Sequence, residues 1–217
     1  HPLMWLFANI RFKFPEKTKY PCLPVKDKQG RGLIFPLEGE TWACAPEIYL
    51  ALEMGAKIEL VQPAVMQHTK SRFSLAQGVK ELVERREQAK QLYGKGSPQE
   101  LAAKEMANSA YGKLAQGLTN KRVYSTRKDK SENVPMSIIT SAPLAALTTS
   151  LVRAIIGAAL CELGDLGYKI ASVTTDGLLV DAPLGVVENL KLYGFQRMFS
   201  EARMFLVGNP SIWELKH

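Results

Sequence analysis

Cysteine and histidine are scarce in this sequence, three of each among 217 residues, and their placement excludes the chemistry most often built on them. Cys22, Cys44 and Cys161 are scattered and odd in number. They lack metal-ligand spacing, suggest no disulfide framework, and read as reduced, buried thiols. His68 stands between Gln67 and Thr69 without a second histidine or acid at ligand spacing, and reads as a surface residue. No signal peptide is recognisable, and no apolar run reaches membrane-spanning length. The nearest approach, Leu144 to Leu163, is interrupted by Arg153 and is expected to form a buried helix of a cytoplasmic protein. Internal repeats and low-complexity segments are also missing. The chain opens on His1-Pro2 rather than Met and stops at Lys216-His217, which reads as a piece of something longer.

What is present describes a globular chain. Hydrophobic residues make up 46% and charged residues 23%, enough apolar material at this length for a substantial core. The 28 Lys and Arg against 21 Asp and Glu give a net charge of +7, which suits a polyanionic partner without requiring one. Phe7 to Phe14 alternates apolar and polar positions as a strand does, and short strands are expected near Cys22–Val25, Gly32–Phe35 and Lys57–Gln62. A short helix from Pro46 to Met54, closed by Gly55, precedes the last of these. Two longer helices follow, from about Leu75 to Tyr93 and from Pro98 to about Ala115. Ser97-Pro98-Gln99-Glu100 is a capping box with proline at the first helical position, and the short Gly94-Lys95-Gly96 break implies an antiparallel hairpin. Thr119 to Asn133, with Lys121, Arg122, Arg127, Lys128 and Lys130, reads as a basic loop or ribbon. A long helix from Pro143 to Leu163 leads into strand, turn and strand, with the turn pair Asp176-Gly177 at the tip. A single final helix is expected from Val186 to Met204.

The chemistry concentrates in the second hairpin helix. Lys104, Asn108 and Tyr111 fall at i, i+4 and i+7 and share a face that ends at Gly112. A solvated face explains such a stripe in most helices. Asn, however, is a mediocre helix-interior residue, and Gly costs about 1 kcal/mol there relative to Ala. Both become intelligible if a phosphorylated, stackable ligand approaches the backbone. On the partner helix Arg86 and Lys90 also lie at i and i+4, with no acid at the same spacing, whereas Arg85 can pair with Glu81 one turn earlier. Three cations from two antiparallel helices would neutralise much of a triphosphate's charge.

The run Lys104-x3-Asn108-Ser109-x-Tyr111-Gly112 resembles the Kx3NSxYG fingers motif of family B DNA polymerases, and Arg86-x3-Lys90 resembles the pair on the other fingers helix. The resemblance, covering roughly residues 75 to 185, implies that Arg86, Lys90 and Lys104 meet the incoming triphosphate. It implies that Asn108, Tyr111 and Gly112 line the nucleotide and the nascent base pair. Val173-Thr-Thr-Asp176-Gly177 resembles the palm motif YxDTDS. Asp176 falls on its metal-binding second aspartate, Thr174 replaces the first, and Gly177 replaces the serine. Mg²⁺ is the implied cofactor, in a two-metal site whose second carboxylate this chain does not supply. No DxxSLYP run occurs, and Asp27 in a Lys-rich turn is no substitute.

The implied fold is α+β: part of an antiparallel palm sheet with flanking helices in residues 1–74 and 119–217, and a two-helix fingers hairpin in 75–118. The metal hairpin occupies 168–181. The implied function is a fragment of a template-directed DNA polymerase, from a bacterial, phage or plasmid source, that extends a primer 3′ end with dNTPs. Its partners are template-primer DNA, dNTPs and the rest of the parent chain, with no membrane. The fragment alone is expected to be inactive. The alternative is a non-catalytic nucleic-acid-binding module of the same fold. A plain helical-hairpin interaction domain would instead turn Arg86 and Lys104 to opposite sides. Asp181 reads as a strand exit, Ser109 lacks a histidine-acid pair to make it a nucleophile, and Trp5, Trp42 and Trp213 read as packing anchors.

Overall fold

The computed structural model describes residues 4–30, 32–62, 64–67 and 74–215; His68 and both chain ends lie outside the described residues. In chain order the elements are β1 (Trp5–Lys13), β2 (Val25–Lys26), β3 (Leu33–Ile34), β4 (Glu38–Cys44), α1 (Ala45–Glu53), β5 (Lys57–Leu60) and β6 (Val65–Gln67). Then come α2 (Ser74–Tyr93), α3 (Pro98–Ala115), β7 (Arg122–Ser125), β8 (Lys130–Asn133), α4 (Ala142–Asp165), β9 (Ile170–Val173) and β10 (Leu178–Val180). The chain ends with α5 (Leu184–Glu188), a 3₁₀ turn (Leu192–Gly194) and α6 (Phe195–Val207). The class is α+β, with every strand pair antiparallel. The chain divides into two compact units: residues 1–70, 146–202 and 210–217, and residues 71–145 with 203–209.

In the first unit β1 is the centre of the sheet, between β4 and β5, and pairs also with β6. Successive side chains on a strand point to opposite faces. Ala8, Ile10 and Phe12 are accordingly buried, whereas Arg11 and Lys13 face solvent. The buried face packs with Leu50 and Ala51 of α1 and with Ala154, Ala158 and Leu163 of α4. Small residues let α4 approach closely: a Cβ on Gly157 would lie 3.3 Å from both Cys22 Cβ and Leu50 Cδ2. Contrary to the expectation that no apolar run reaches membrane-spanning length, α4 is long and apolar enough to cross a membrane by length and composition, since the one charge of Arg153 does not offset its apolar residues. Its Ala154, Ala158, Ala159 and Leu163 are nevertheless buried in this core, as the sequence predicts. Arg153, which interrupts the apolar run, donates from Nε to Oε1 of the buried Glu47 at 2.6 Å. All three cysteines are free and buried.

Three expectations need correction here. β4 was not predicted; its inward positions Gly39, Thr41 and Ala43 are too small and weakly apolar to show an alternating pattern. Trp42 is no packing anchor: it lies on the outward face of this edge strand, 60% exposed. The single final helix is broken into α5, the 3₁₀ turn and α6. Leu192, Tyr193 and Gly194 all adopt positive φ there. Glu162 holds that turn, its carboxylate accepting the N–H groups of Lys191 (2.8 Å) and Tyr193 (3.1 Å), while Tyr49 donates to the Tyr193 carbonyl. Left-handed backbone costs about 1–2 kcal/mol per non-glycine residue, and these bonds offset it.

In the second unit α2 and α3 form the expected hairpin. Gly94 and Gly96 both take φ of +85°, a left-handed conformation that most side chains resist, and so reverse the chain in four residues. The predicted basic segment is a ribbon, β7 paired with β8 from Arg122↔Asn133 to Ser125↔Lys130.

Candidate functional site

The start of α3 is built as its sequence dictates. Ser97 is the N-cap, and its Oγ accepts the Glu100 N–H at 3.2 Å; Pro98 follows at the first helical position. The Glu100 carboxylate reaches back to the Gly96 N–H at 3.3 Å, satisfying a second free donor. Its other oxygen accepts Nε of Arg86, on α2, at 3.0 Å, with the Glu100 side chain only 4% exposed. The Arg86 hydrogen bond holds Glu100 below the usual carboxylate range, against the effect of burial; the Gly96 N–H and the Lys104 charge act in the same direction as Arg86.

Arg86 has no acid at i±4 on α2, as its spacing indicates, yet it does have a carboxylate partner. The partner comes from the facing helix, where spacing along α2 alone cannot reveal it. Lys90 meets Glu87 at 3.5 Å, but both side chains are nearly half exposed, so the pair is worth little. The Arg85–Glu81 pair does not form among the described residues; Glu81 instead accepts from Gln77 at 3.5 Å. Lys104, one turn beyond Glu100, is half-buried, and Asn108, Tyr111 and Gly112 are exposed further along α3. Lys104 shares a face of α3 with Glu100, which Arg86 contacts, and this argues against Arg86 and Lys104 facing opposite ways. A Cβ on Gly112 would meet nothing within 4 Å, so no packing in the fold requires glycine there. Ser109 donates to the Met106 carbonyl at 2.9 Å, a local helix bond rather than a nucleophile's arrangement.

The far end of α3 is equally well fixed. Ser137 and Thr140 donate to the Lys113 carbonyl, and Thr140 also lies 2.9 Å from the Gln116 carbonyl. Gly117 takes φ +78° with the Met136 backbone 2.7 Å from where a Cβ would be, so this position does require glycine. In the ribbon, Glu132 pairs with both Lys128 and Lys130, and Tyr124 donates to Asp129. Lys121 and Arg127 form no ion pair among the described residues.

In the other unit β9 and β10 form the expected hairpin, but the turn differs. Leu178 pairs with Val173, and both the N–H and the hydroxyl of Thr174 donate to the Gly177 carbonyl, at 2.9 and 3.2 Å. The two loop residues are therefore Thr175 and Asp176, not Asp176 and Gly177. Neither Asp176 nor Gly177 adopts positive φ, so the turn chemistry that makes Asp-Gly a hairpin signal is not in use. Thr174 instead closes the loop. A Cβ at Gly177 would come 3.0 Å from the Thr174 hydroxyl, a close contact that the side chain would have to ease. Asp176 is exposed, and its carboxylate makes no hydrogen bond or ion pair among the described residues. Asp181 closes the strands by accepting the Lys169 N–H at 2.8 Å.

Among the described residues no three His, Cys, Asp or Glu side chains cluster to hold a metal. A free carboxylate on a hairpin loop nevertheless fits one part of a Mg²⁺ site, since Mg²⁺ takes one or two carboxylates together with substrate phosphates.

Residues 4–146 match the family model described as DNA polymerase type B, organellar and viral. The chain is 38% identical over 182 residues to the primer-independent DNA polymerase PolB of Escherichia coli. That match covers 82% of this chain and 21% of the relative, so the chain spans about a fifth of that protein's length. No solved structure gives a significant match.

Proposed function

Given that the chain belongs to the organellar and viral type B DNA polymerases, we propose that it supplies palm and fingers elements to template-directed addition of dNTPs at a DNA 3′ end. The observation that carries this is the α2–α3 hairpin, where Arg86 is held by the buried Glu100 carboxylate, Lys104 lies one turn further along α3, and Asn108, Tyr111 and Gly112 stay open on the same helix.

Each residue has a physical role in this reading. Arg86 and Lys104, joined by the exposed Lys90, neutralise the triphosphate and orient it for in-line attack. Positioning and charge neutralisation are most of what phosphoryl transfer asks of a protein. Tyr111 offers a ring face to the nascent base pair, and Asn108 an amide to the nucleotide. Gly112 leaves room for the ligand to reach the helix backbone. Asp176 would hold Mg²⁺, which when bound supplies charge stabilisation to the attacking and leaving oxygens. Two-metal transfer needs a second carboxylate, and no residue of this sequence matches its motif. The 217 residues alone are therefore proposed to be inactive, and the parent polymerase to be the working enzyme.

One observation favours the rival, a non-catalytic nucleic-acid-binding module. Thr174 uses its hydroxyl to close the loop, so the position of the family's first aspartate carries no charge. Primer extension by the parent polymerase with and without Asp176→Ala separates the two. The catalytic reading expects extension to disappear while DNA binding persists; equal extension by both proteins would leave the binding module standing.

A further inference from the structure

We propose that Glu100 is a positioning residue for nucleotide binding: it holds Arg86 by the Nε edge, so that both Nη groups are presented to a nucleoside triphosphate beside Lys104. The inference rests on the triphosphate-binding reading of Arg86 and Lys104 and adds to it the part that sets their geometry.

The Glu100 carboxylate is fixed from several directions. Its backbone N–H is held by the N-cap Ser97, one oxygen by the Gly96 N–H, and the side chain is almost wholly buried. Arg86 is therefore anchored to a rigid point, the first turn of α3, rather than to a mobile surface acid. Only Nε is committed; neither Nη has a partner among the described residues, and the Arg86 side chain remains 40% exposed. A guanidinium recognises phosphate through two parallel N–H donors in one plane, so fixing that plane beforehand removes rotamer freedom that binding would otherwise have to remove. Lys104 lies one helical turn beyond Glu100 and shares its face. One carboxylate against two cations leaves the trio net positive. Lys90 has only an exposed, loosely held acid beside it and no such anchor.

An ordinary helix cap would predict a loss of stability when Glu100 is changed, and nothing specific to nucleotide. The test is a mutant cycle in the parent polymerase: native, Arg86→Ala, Glu100→Ala, Glu100→Gln and Arg86→Ala/Glu100→Ala. KM for dNTP, kcat and thermal unfolding are read for each. The proposal expects Glu100→Ala to raise KM about tenfold, the size of coupling between residues in contact, with kcat changed much less. Glu100→Gln keeps an acceptor for Nε and should restore most of the loss. In the Arg86→Ala background Glu100→Ala should add nothing to KM, however much it lowers the unfolding temperature. An equal rise in KM with or without Arg86 would overturn the proposal, as would an unchanged KM in Glu100→Ala beside a raised one in Arg86→Ala. An unchanged KM in Arg86→Ala would overturn the fingers reading itself, and this inference with it.

Discussion

At the scale of single residues, the buried charges and thiols carry the sharpest consequences. The Glu100 carboxyl is held below its ordinary range by Arg86. A carboxyl depressed in the folded state contributes stability that is fully present above its unfolded pKa of about 4.3 and is lost as pH falls through the folded value. Thermal unfolding between pH 3 and 7 should show this acid-side loss in the native chain and a flatter profile in Glu100→Gln. The thiols shift the other way: burial pushes Cys44 up to about 11 and Cys161 to about 12, and raises Cys22 further. Folded protein at pH 8 should therefore resist alkylation by iodoacetamide at all three, and unfolding should expose all three together. Glu47, 1% exposed, has Arg153 as its ion-pair partner. Arg153→Ala should destabilise by about 3 kcal/mol, towards the lower end for a broken buried pair because Arg153 is partly solvated. Arg153→Met with Glu47→Gln should recover part of that in chemical denaturation.

At the scale of elements, two glycines at the end of one helix separate fold from function. Gly117→Ala would meet the Met136 backbone at a positive φ and should cost about 1–3 kcal/mol. Gly112→Ala meets nothing and should stabilise α3 by up to about 1 kcal/mol. If a ligand approaches the backbone at Gly112, the same change should lower nucleotide incorporation despite the stabler fold. Denaturation curves and single-nucleotide insertion assays measure the two effects separately. The bounds of α2 and α3 were legible in the sequence because Ser97, Pro98, Gly94 and Gly96 punctuate them with local chemistry. What was not legible came from partners distant in sequence. Glu162 reshapes the segment read as one final helix, and Glu100 takes the Nε of an arginine that local spacing left unpaired. β4 escaped because its core-facing side chains are nearly bare. Thr174 looked like a lost ligand, and is the group that closes the loop bearing Asp176.

At the scale of the whole molecule, the +7 charge and α+β class fit many proteins; the family match over residues 4–146 and the 38% identical relative identify the family. The proposed metal role of Asp176 lies beyond the matched residues 4–146 and rests on the resemblance of Val173–Gly177 to the palm motif. The metal-binding part of the account depends on Asp176, whose exposed carboxylate has no partner among the described residues. The most direct test is Mg²⁺-dependent primer extension by the parent polymerase, native against Asp176→Ala, with unfolding temperature and DNA affinity measured on the same samples. The account expects extension to fall by more than about 100-fold, beyond the usual effect of disturbing a residue that only supports a metal ligand, with fold and DNA binding unchanged. Native-level extension by Asp176→Ala would contradict it.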